Sequence, residues 1–76
     1  MKQLVEFIAR HLVDHPDEVR VDEVDAGRTI IYELYVHPDD LGQVIGREGR
    51  TAQATRELMS VASCDWERRV RLDIVD

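Results

Sequence analysis

The chain of 76 residues is long enough for one small domain and too short to enclose a deep catalytic pocket easily. Sixteen acidic side chains oppose ten basic ones, and the formal net charge of -6 excludes a general attraction to nucleic acid or to an anionic membrane. The single cysteine, Cys64, excludes an internal disulfide, and no apolar stretch has the length of a membrane span, so we expect a cytoplasmic location.

An amphipathic helix is predicted for residues 2–14. Apolar side chains recur there at intervals of three and four residues, which places them on one stripe, and they are Leu4, Val5, Ile8, Leu12 and Val13. Because a proline disfavours helical backbone in the residue before it, we expect the helix to end at His15 and Pro16.

A hairpin of two strands follows the first helix. Residues 19–24 alternate between apolar and charged side chains until the parity slips at Val24, which predicts a strand with a bulge. Residues 25–28, with a glycine available for positive φ, predict a tight turn, and residues 29–36 predict the second strand. One face of this strand carries Ile30, Tyr32, Leu34 and Val36.

Two helices and a closing strand are predicted for the second half. A proline followed by Asp39 and Asp40 is typical of a helix start, where carboxylates can accept free backbone N–H groups, and a short helix is expected at about residues 39–45. A longer helix is predicted over residues 50–63. Its core-facing side chains are predicted to be Ala54, Leu58, Met59 and Ala62. Strict alternation predicts the last strand over residues 69–75.

Two glycines three residues apart stand at the junction of the two predicted helices. Without Cβ atoms, Gly46 and Gly49 let the chain turn sharply and let another backbone approach closely. The helix that follows then begins with exposed N–H groups, which suit a phosphate, and Arg47 and Arg50 could donate to its oxygens. Three arginines and one glutamate give residues 42–56 a local charge of +2, so the acidic chain has one basic region.

A G-x-x-G motif alone is a weak signal of function, but its context here resembles that of the K-homology (KH) domain. The context is a strand, a short helix ending in Val44-Ile45, the motif, a longer helix and a strand. The preceding helix and strand resemble the type II arrangement, and "VIGREGRTAQATRELM" with "VRLDIV" is similar to the small bacterial stand-alone KH proteins of the KhpA group. The resemblance implies a single KH domain over residues 1–76 with an α+β fold, in the order α-β-β-α-α-β. It further implies a three-stranded mixed sheet, in which residues 29–36 and 69–75 run parallel, with three helices on one face.

The resemblance also implies a binding site, since KH domains hold about four nucleotides of single-stranded RNA and their GxxG loop clamps the backbone. The loop would face the sugar-phosphate chain, Val44 and Ile45 would line an apolar groove under the bases, and the closing strand would form the other wall. The RNA-binding residues implied in this way are Val44, Ile45, Gly46, Arg47, Glu48, Gly49, Arg50, Gln53, Arg56, Arg69 and Arg71. Because Glu48 offsets one favourable charge, we expect micromolar-range, salt-sensitive binding with little sequence selectivity.

Other reactive side chains favour simpler interpretations. His11 and His15 have a spacing that metal sites use, but only Cys64 offers a soft third ligand, and a solvated helix end is the better interpretation. Cys64 is expected in or near the core, and Trp66 is expected to cover the end of a small core. We find no catalytic constellation, so we expect no enzymatic activity, no cofactor and no metal.

Two classes of function stay open. The leading hypothesis is a cytoplasmic, non-enzymatic module that binds mRNA or small RNAs as a post-transcriptional regulator or RNA chaperone. The resemblance implies that it acts as a homodimer or with a larger KH-containing partner of the KhpB (Jag-like) type. The alternative is a protein-interaction or dimerisation module that keeps the KH fold with weak or no RNA binding, and an accessory role in ribosome assembly is a third possibility.

Overall fold

A computed structural model describes residues 1–76 and contains six main elements in the predicted order. They are α1 (Lys2–Leu12), β1 (Arg20–Asp25), β2 (Thr29–Tyr35), α2 (Leu41–Ile45), α3 (Arg50–Ala62) and β3 (Arg69–Val75). Single 3₁₀ turns precede β1, α2 and α3. The first helix ends two residues earlier than expected because Val13 already has extended backbone, with φ -103° and ψ 161°.

The three strands form one mixed sheet in the order β1-β2-β3. β1 pairs antiparallel with β2 through the predicted turn, in which Gly27 has φ +81°. β2 pairs in parallel with β3, with Tyr32 opposite Leu72, and α2 and α3 form the crossover that a parallel pair requires. The α+β topology expected from the KH resemblance is therefore confirmed, and β3 lies at an edge of the sheet.

The predicted bulge in β1 is wrong. The register runs one to one from Arg20 opposite Tyr35 to Asp25 opposite Ile30. Val24 simply follows the alternation onto the outer face of the sheet, where it is exposed. Val24 did not indicate a bulge, because single apolar side chains are common at protein surfaces.

The core lies between the inner face of the sheet and the helices. Its buried members are Val5 and Ala9 of α1, Val19, Val21, Tyr32, Leu34, Val44, Met59 and Leu72. The inward face predicted for β2 is confirmed, since Ile30 and Val36 pack against this cluster at its margin. Each large apolar side chain that becomes fully buried contributes roughly 1.5–3 kcal/mol of transfer free energy.

The face of α3 that packs on the core differs from the predicted one. Met59 is buried as expected, but Leu58 is 54% exposed, and Ala52 and Thr55 are buried instead. Thr55 can be buried because its hydroxyl donates to the backbone carbonyl of Thr51 at 3.0 Å. The predicted members Ala54 and Ala62 are also exposed. The apolar count alone thus selected the wrong stripe.

A partly buried ion pair joins the segment after α1 to the segment before α2. The carboxylate of Asp40 is buried and accepts from the backbone N–H of His15 at 3.0 Å and from its Nδ1 at 2.9 Å. The expectation that Asp40 caps α2 is therefore wrong, since its side chain makes no capping bond. The N–H of Asp39 donates instead to the ring of His37, which stacks on the ring of His15 with centroids 4.1 Å apart.

His15 and Asp40 shift each other's pKa values. The hydrogen bond to Asp40 raises the pKa of His15, against a smaller lowering by burial. Burial raises the pKa of Asp40, but the hydrogen bonds from His15 and from the backbone of Asp14 outweigh it and leave this pKa below its ordinary value. His15 is therefore not the freely solvated residue that we expected from the sequence.

Candidate nucleic-acid interface

The turn between α2 and α3 depends on the absence of a side chain at Gly46. Its backbone has φ +79° and ψ 170°, a conformation that L-residues rarely adopt. A Cβ atom at this position would lie 2.2 Å from Oγ1 of Thr51 and 2.7 Å from its backbone nitrogen. Gly46 thus lets the turn pack directly against the first residues of α3.

Two further residues of the turn have left-handed backbone. Glu48 has φ +58° and is the only residue other than glycine with positive φ, while Gly49 has φ +76°. Such a conformation costs a non-glycine residue about 1 kcal/mol or more, which the rest of the fold has to offset. The side chains of Arg47 and Glu48 are exposed as a result of this tight turn.

The amino end of α3 has no side-chain cap. Gly49 occupies the N-cap position and has no side chain to accept a hydrogen bond, and no acidic residue lies in the first turn. The N–H groups of Gly49 and Arg50 donate to the carbonyls of Gly46 and Arg47 in the 3₁₀ turn, so the helix dipole and the N–H groups that follow Arg50 present the partial positive charge beside the turn. Arg50 adds its guanidinium, whose ion pair with Glu48 at 3.8 Å is so exposed that it contributes little. This arrangement suits a phosphate group.

A narrow cleft lies between α3 and β3. It is lined by Arg56, Met59, Val70, Arg71 and Leu72. The backbone N–H of Arg69 donates to the carbonyl of Arg28, the residue before β2, so the backbone polar groups of Arg69 point toward β2. Because these groups alternate in direction along a strand, the N–H and C=O groups of Leu72 point away from β2 and into the cleft. The guanidinium of Arg56 crosses the cleft and donates to the carbonyl of Leu72 at 3.3 Å. The cleft thus offers a backbone donor and acceptor to a planar polar ligand.

The structure places the predicted apolar pair differently. Val44 is only 3% exposed and belongs to the core, whereas Ile45 is 38% exposed. The role assigned to Val44 in lining the groove has to be corrected, because its side chain supports the turn from the inside. Ile45 is the member of the pair that a ligand can contact.

The predicted basic residues separate into two groups. Arg47, Arg50, Gln53 and Arg56 are exposed along the turn and α3. Arg69 and Arg71 alternate with the inward side chains of β3, so their side chains leave from the outer face, where Arg71 donates to Asp73 at 2.8 Å. These two residues therefore flank the cleft at its rim.

A second, wider cleft lies at the carboxyl end of α3. It has a volume of about 490 Å³ and is lined by Ser60, Ser63, Cys64, Trp66, Glu67, Arg68, Arg69 and Val70. Trp66 is 41% exposed and Cys64 is exposed, so the expectations that they cover or join the core are wrong. This cleft was not predictable from the sequence because the connection between α3 and β3 carries no periodic pattern. The grouping of one tryptophan with consecutive arginines was its only signal.

A topology of α-β-β-α-α-β with a G-x-x-G turn before the third helix defines a KH domain of type II. The family model described as KhpA/KhpB, KH domain, matches residues 2–74, and the chain belongs to this family. None of its helices is long and apolar enough to cross a membrane.

Relatives with a curated name are similar over the whole chain. The "RNA-binding protein KhpA" of Halalkalibacterium halodurans is 59% identical over 76 residues, which cover all of both chains. The protein of the same name from Clostridium acetobutylicum is 49% identical over 99% of this chain and all of its own. The one from Mycobacterium leprae is 51% identical over 95% of this chain and 86% of its own. No solved structure matches the chain.

Proposed function

We propose that this protein binds single-stranded RNA, either mRNA or small RNA, and acts without enzymatic activity as a post-transcriptional regulator or RNA chaperone in the cytoplasm. Residues 1–76 would act as a single KH domain. The names of the similar proteins support RNA as the ligand. The turn from Gly46 to Gly49 would clamp the sugar-phosphate backbone, as the GxxG loop of KH domains does.

The uncapped amino end of α3 is the observation that carries this proposal. A phosphate over the turn would accept from the first-turn N–H groups, and Arg47 and Arg50 would approach it from the exposed side. With a phosphate at the turn, the bases that precede this phosphate would pass over Ile45, and the bases that follow it would enter the cleft beside β3. The turn would then fix the position of the RNA along the site.

Arg56 would change partners when RNA binds. In the free protein its guanidinium donates a hydrogen bond to the carbonyl of Leu72. The amino group of a base could donate to the same carbonyl. A base that pairs with the backbone of Leu72 would displace this guanidinium toward a phosphate. The free energy of RNA binding would then depend on the charge of Arg56. The stability of the fold would depend on Arg56 little, since its hydrogen bond to Leu72 is long at 3.3 Å.

The test is fluorescence anisotropy of a labelled mixed-sequence RNA with the wild type and with the double variant Arg47→Asp, Glu48→Asp. Aspartate tolerates left-handed backbone, so the turn is retained while its one favourable charge is reversed. We expect at least a tenfold loss of affinity at low salt. For the wild type, log K should fall with log[salt] with a slope of about -2, as expected for three phosphate contacts to a single strand.

Circular dichroism would show that both proteins are folded. Equal binding by the two proteins would overturn the assignment of the turn as the backbone clamp. If the folded wild type binds no RNA at low salt, the proposed function itself is wrong.

We further propose that the protein acts as a homodimer or with a larger KH-containing partner of the KhpB (Jag-like) type. The exposed stripe of Ala54, Leu58 and Val61 on α3 supports a protein contact, because Leu58 is 54% and Val61 73% exposed. At 100° per residue, this stripe lies on the side of α3 opposite Arg56 and Ser60, which line the clefts. A protein partner there would leave the RNA site free.

A further inference from the structure

The wide cleft at the carboxyl end of α3 adjoins the narrower cleft at Val70, which lines both. Together they form one trough that follows α3 from Arg56 to Ser63. Over these residues the helix rise gives the trough a length of about 10 Å. A ligand that lies along the narrow cleft therefore has the wide one directly beside it.

The trough is basic although the protein is acidic. Its lining residues include four arginines, Arg56, Arg68, Arg69 and Arg71, and a single glutamate. With Asp25 and Asp73, which pair with Arg68 and Arg71, the local sum is one positive charge in a chain of net charge -6. A polyanion would therefore be attracted to this trough although the net charge of the chain repels it.

The wide end of the trough also contains an unsatisfied donor. Arg68 is held by the carboxylate of Asp25, but its Nε is buried without an acceptor, and it is the only buried side-chain nitrogen or oxygen of the protein in that state. Native structures rarely leave such a group unpaired. Because Nε has almost no accessible surface, an anionic ligand in the cleft would supply an acceptor once the Arg68 side chain turns toward it.

Trp66 gives the wide end a feature that the narrow end lacks. It is the only tryptophan of the chain, and its side chain lines the cleft while 41% of its surface is exposed. An exposed indole beside arginines is the combination on which single-stranded nucleic acids stack their bases. The volume of about 490 Å³, compared with about 160 Å³ for the narrow cleft, leaves room for a base with its sugar.

We propose that single-stranded RNA extends beyond the part held by the turn into the wide cleft, where one base stacks on Trp66 and adjacent phosphates contact Arg68 and Arg69. This inference rests on the proposed RNA binding and gives that function a longer site. RNAs longer than four nucleotides then bind more tightly than tetranucleotides. The stacking tolerates any base, because every base has a π face.

The experiment compares a tetranucleotide with octanucleotides that extend it at either end, with Trp66 as the intrinsic fluorophore. We expect an octanucleotide to quench Trp66 and to bind about tenfold more tightly than the tetranucleotide. An octanucleotide whose four added positions lack bases keeps the phosphates but not the stacking, and it should lose most of the quenching.

Two variants of Trp66 separate the effect of stacking from the effect of RNA length alone. Trp66→Ala should reduce the affinity for the octanucleotide about tenfold and leave that for the tetranucleotide unchanged, whereas Trp66→Phe should retain most of the affinity. The matched control is Phe7→Ala, which removes an exposed aromatic side chain of α1 outside the trough. It should leave the binding of both RNAs unchanged.

The outcomes distinguish the two proposals. If both RNAs bind the wild type with equal affinity and neither quenches Trp66, the extended site is wrong while RNA binding stands. Binding of neither RNA would overturn both proposals. If Trp66→Ala does not fold, the quenching and the length dependence of the wild type still decide the question.

Discussion

The two glycines of the G-x-x-G motif have different physical roles. Gly46 has no room for a Cβ atom because Thr51 approaches it closely, whereas a Cβ atom at Gly49 would meet nothing within 4 Å. At Gly49 the requirement is only for left-handed backbone, with φ +76°. The first glycine therefore fixes how the turn packs, and the second one fixes the direction in which α3 begins.

Replacing Gly46 by alanine should destabilise the protein by at least about 2 kcal/mol, since strained backbone and a clash with the backbone of Thr51 act together. RNA affinity should fall as well, because the turn cannot keep its geometry. Urea unfolding measures the first effect and anisotropy the second.

The control for this change is Gly42→Ala in α2, where a Cβ atom meets nothing within 4 Å. This change should stabilise the protein by about 0.5–1 kcal/mol, as expected for alanine in a helix. Equal stability of the two variants would contradict the special role of Gly46.

The G-x-x-G turn between two helices was predictable from sequence because glycines and the flanking helical patterns are local signals. The contact of Gly46 with Thr51 was not predictable, since a motif does not state what its backbone approaches. Val44 was misplaced for a similar reason: an apolar residue beside a turn has the same sequence signal whether it faces the core or a ligand.

Among the elements, α1 and α2 are joined by the bond between His15 and Asp40 rather than by apolar contacts alone. His15 also faces the acidic side chains of Asp14 and Glu18 and stacks on the ring of His37. The junction therefore combines a buried carboxylate with an imidazole, that of His15, whose pKa this carboxylate raises.

This junction should make folding stability depend on pH. Because the folded state raises the pKa of His15, its contribution is complete below the ordinary value of 6.5 and is lost as the pH rises through the raised value. Because the pKa of Asp40 is lowered, its contribution is complete above the ordinary value of 3.8 and is lost as the pH falls through the lowered value. The pair therefore stabilises the fold most between these two ordinary values.

Urea unfolding at a series of pH values would measure this dependence. The variant Asp40→Asn should lose stability and flatten the profile, and His15→Gln should flatten its upper limb while it retains a hydrogen-bond donor. Profiles of the same shape for the wild type and Asp40→Asn would contradict the role of this pair.

At the level of elements, local sequence patterns predicted the six main helices and strands and their order. The bulge predicted for β1 was wrong, and so was the buried face of α3, where two apolar stripes compete on one helix. In α3 the stripe with Leu58 is more apolar, yet the stripe with Thr55 is buried, since Thr55 can bond to the carbonyl of its own helix. The bond between His15 and Asp40 joins residues 25 positions apart, which local pattern does not reveal.

Over the whole molecule, charge and apolar surface are distributed on different sides. Six of the ten basic residues lie between Arg47 and Arg71, along the turn and the trough. The exposed apolar stripe of α3 lies on the opposite side of that helix. A homodimer formed through the stripe would therefore place two RNA sites on one particle without blocking either.

The variant Leu58→Asp should yield a monomer, because it places a charge in the centre of the stripe, and it should leave the affinity for a tetranucleotide unchanged. Sedimentation equilibrium gives the mass and anisotropy the affinity. The control is Glu57→Asp, an exposed neighbour on the same helix that keeps its charge. A dimer that survives Leu58→Asp, or a wild type that is monomeric, would overturn the proposed contact.

The position of β3 at the edge of the sheet has a further consequence. An edge strand offers unpaired backbone groups on which a strand of another chain can assemble, and this is a common origin of aggregation. At the opposite edge β1 carries one arginine, Arg20, and three carboxylates, Asp22, Glu23 and Asp25, so its net negative charge repels a second copy. At β3 the protection comes from α3 alongside it and from the guanidinium of Arg56 on the carbonyl of Leu72. A bound base would occupy the same backbone groups, so RNA would protect this edge from self-assembly while it is bound.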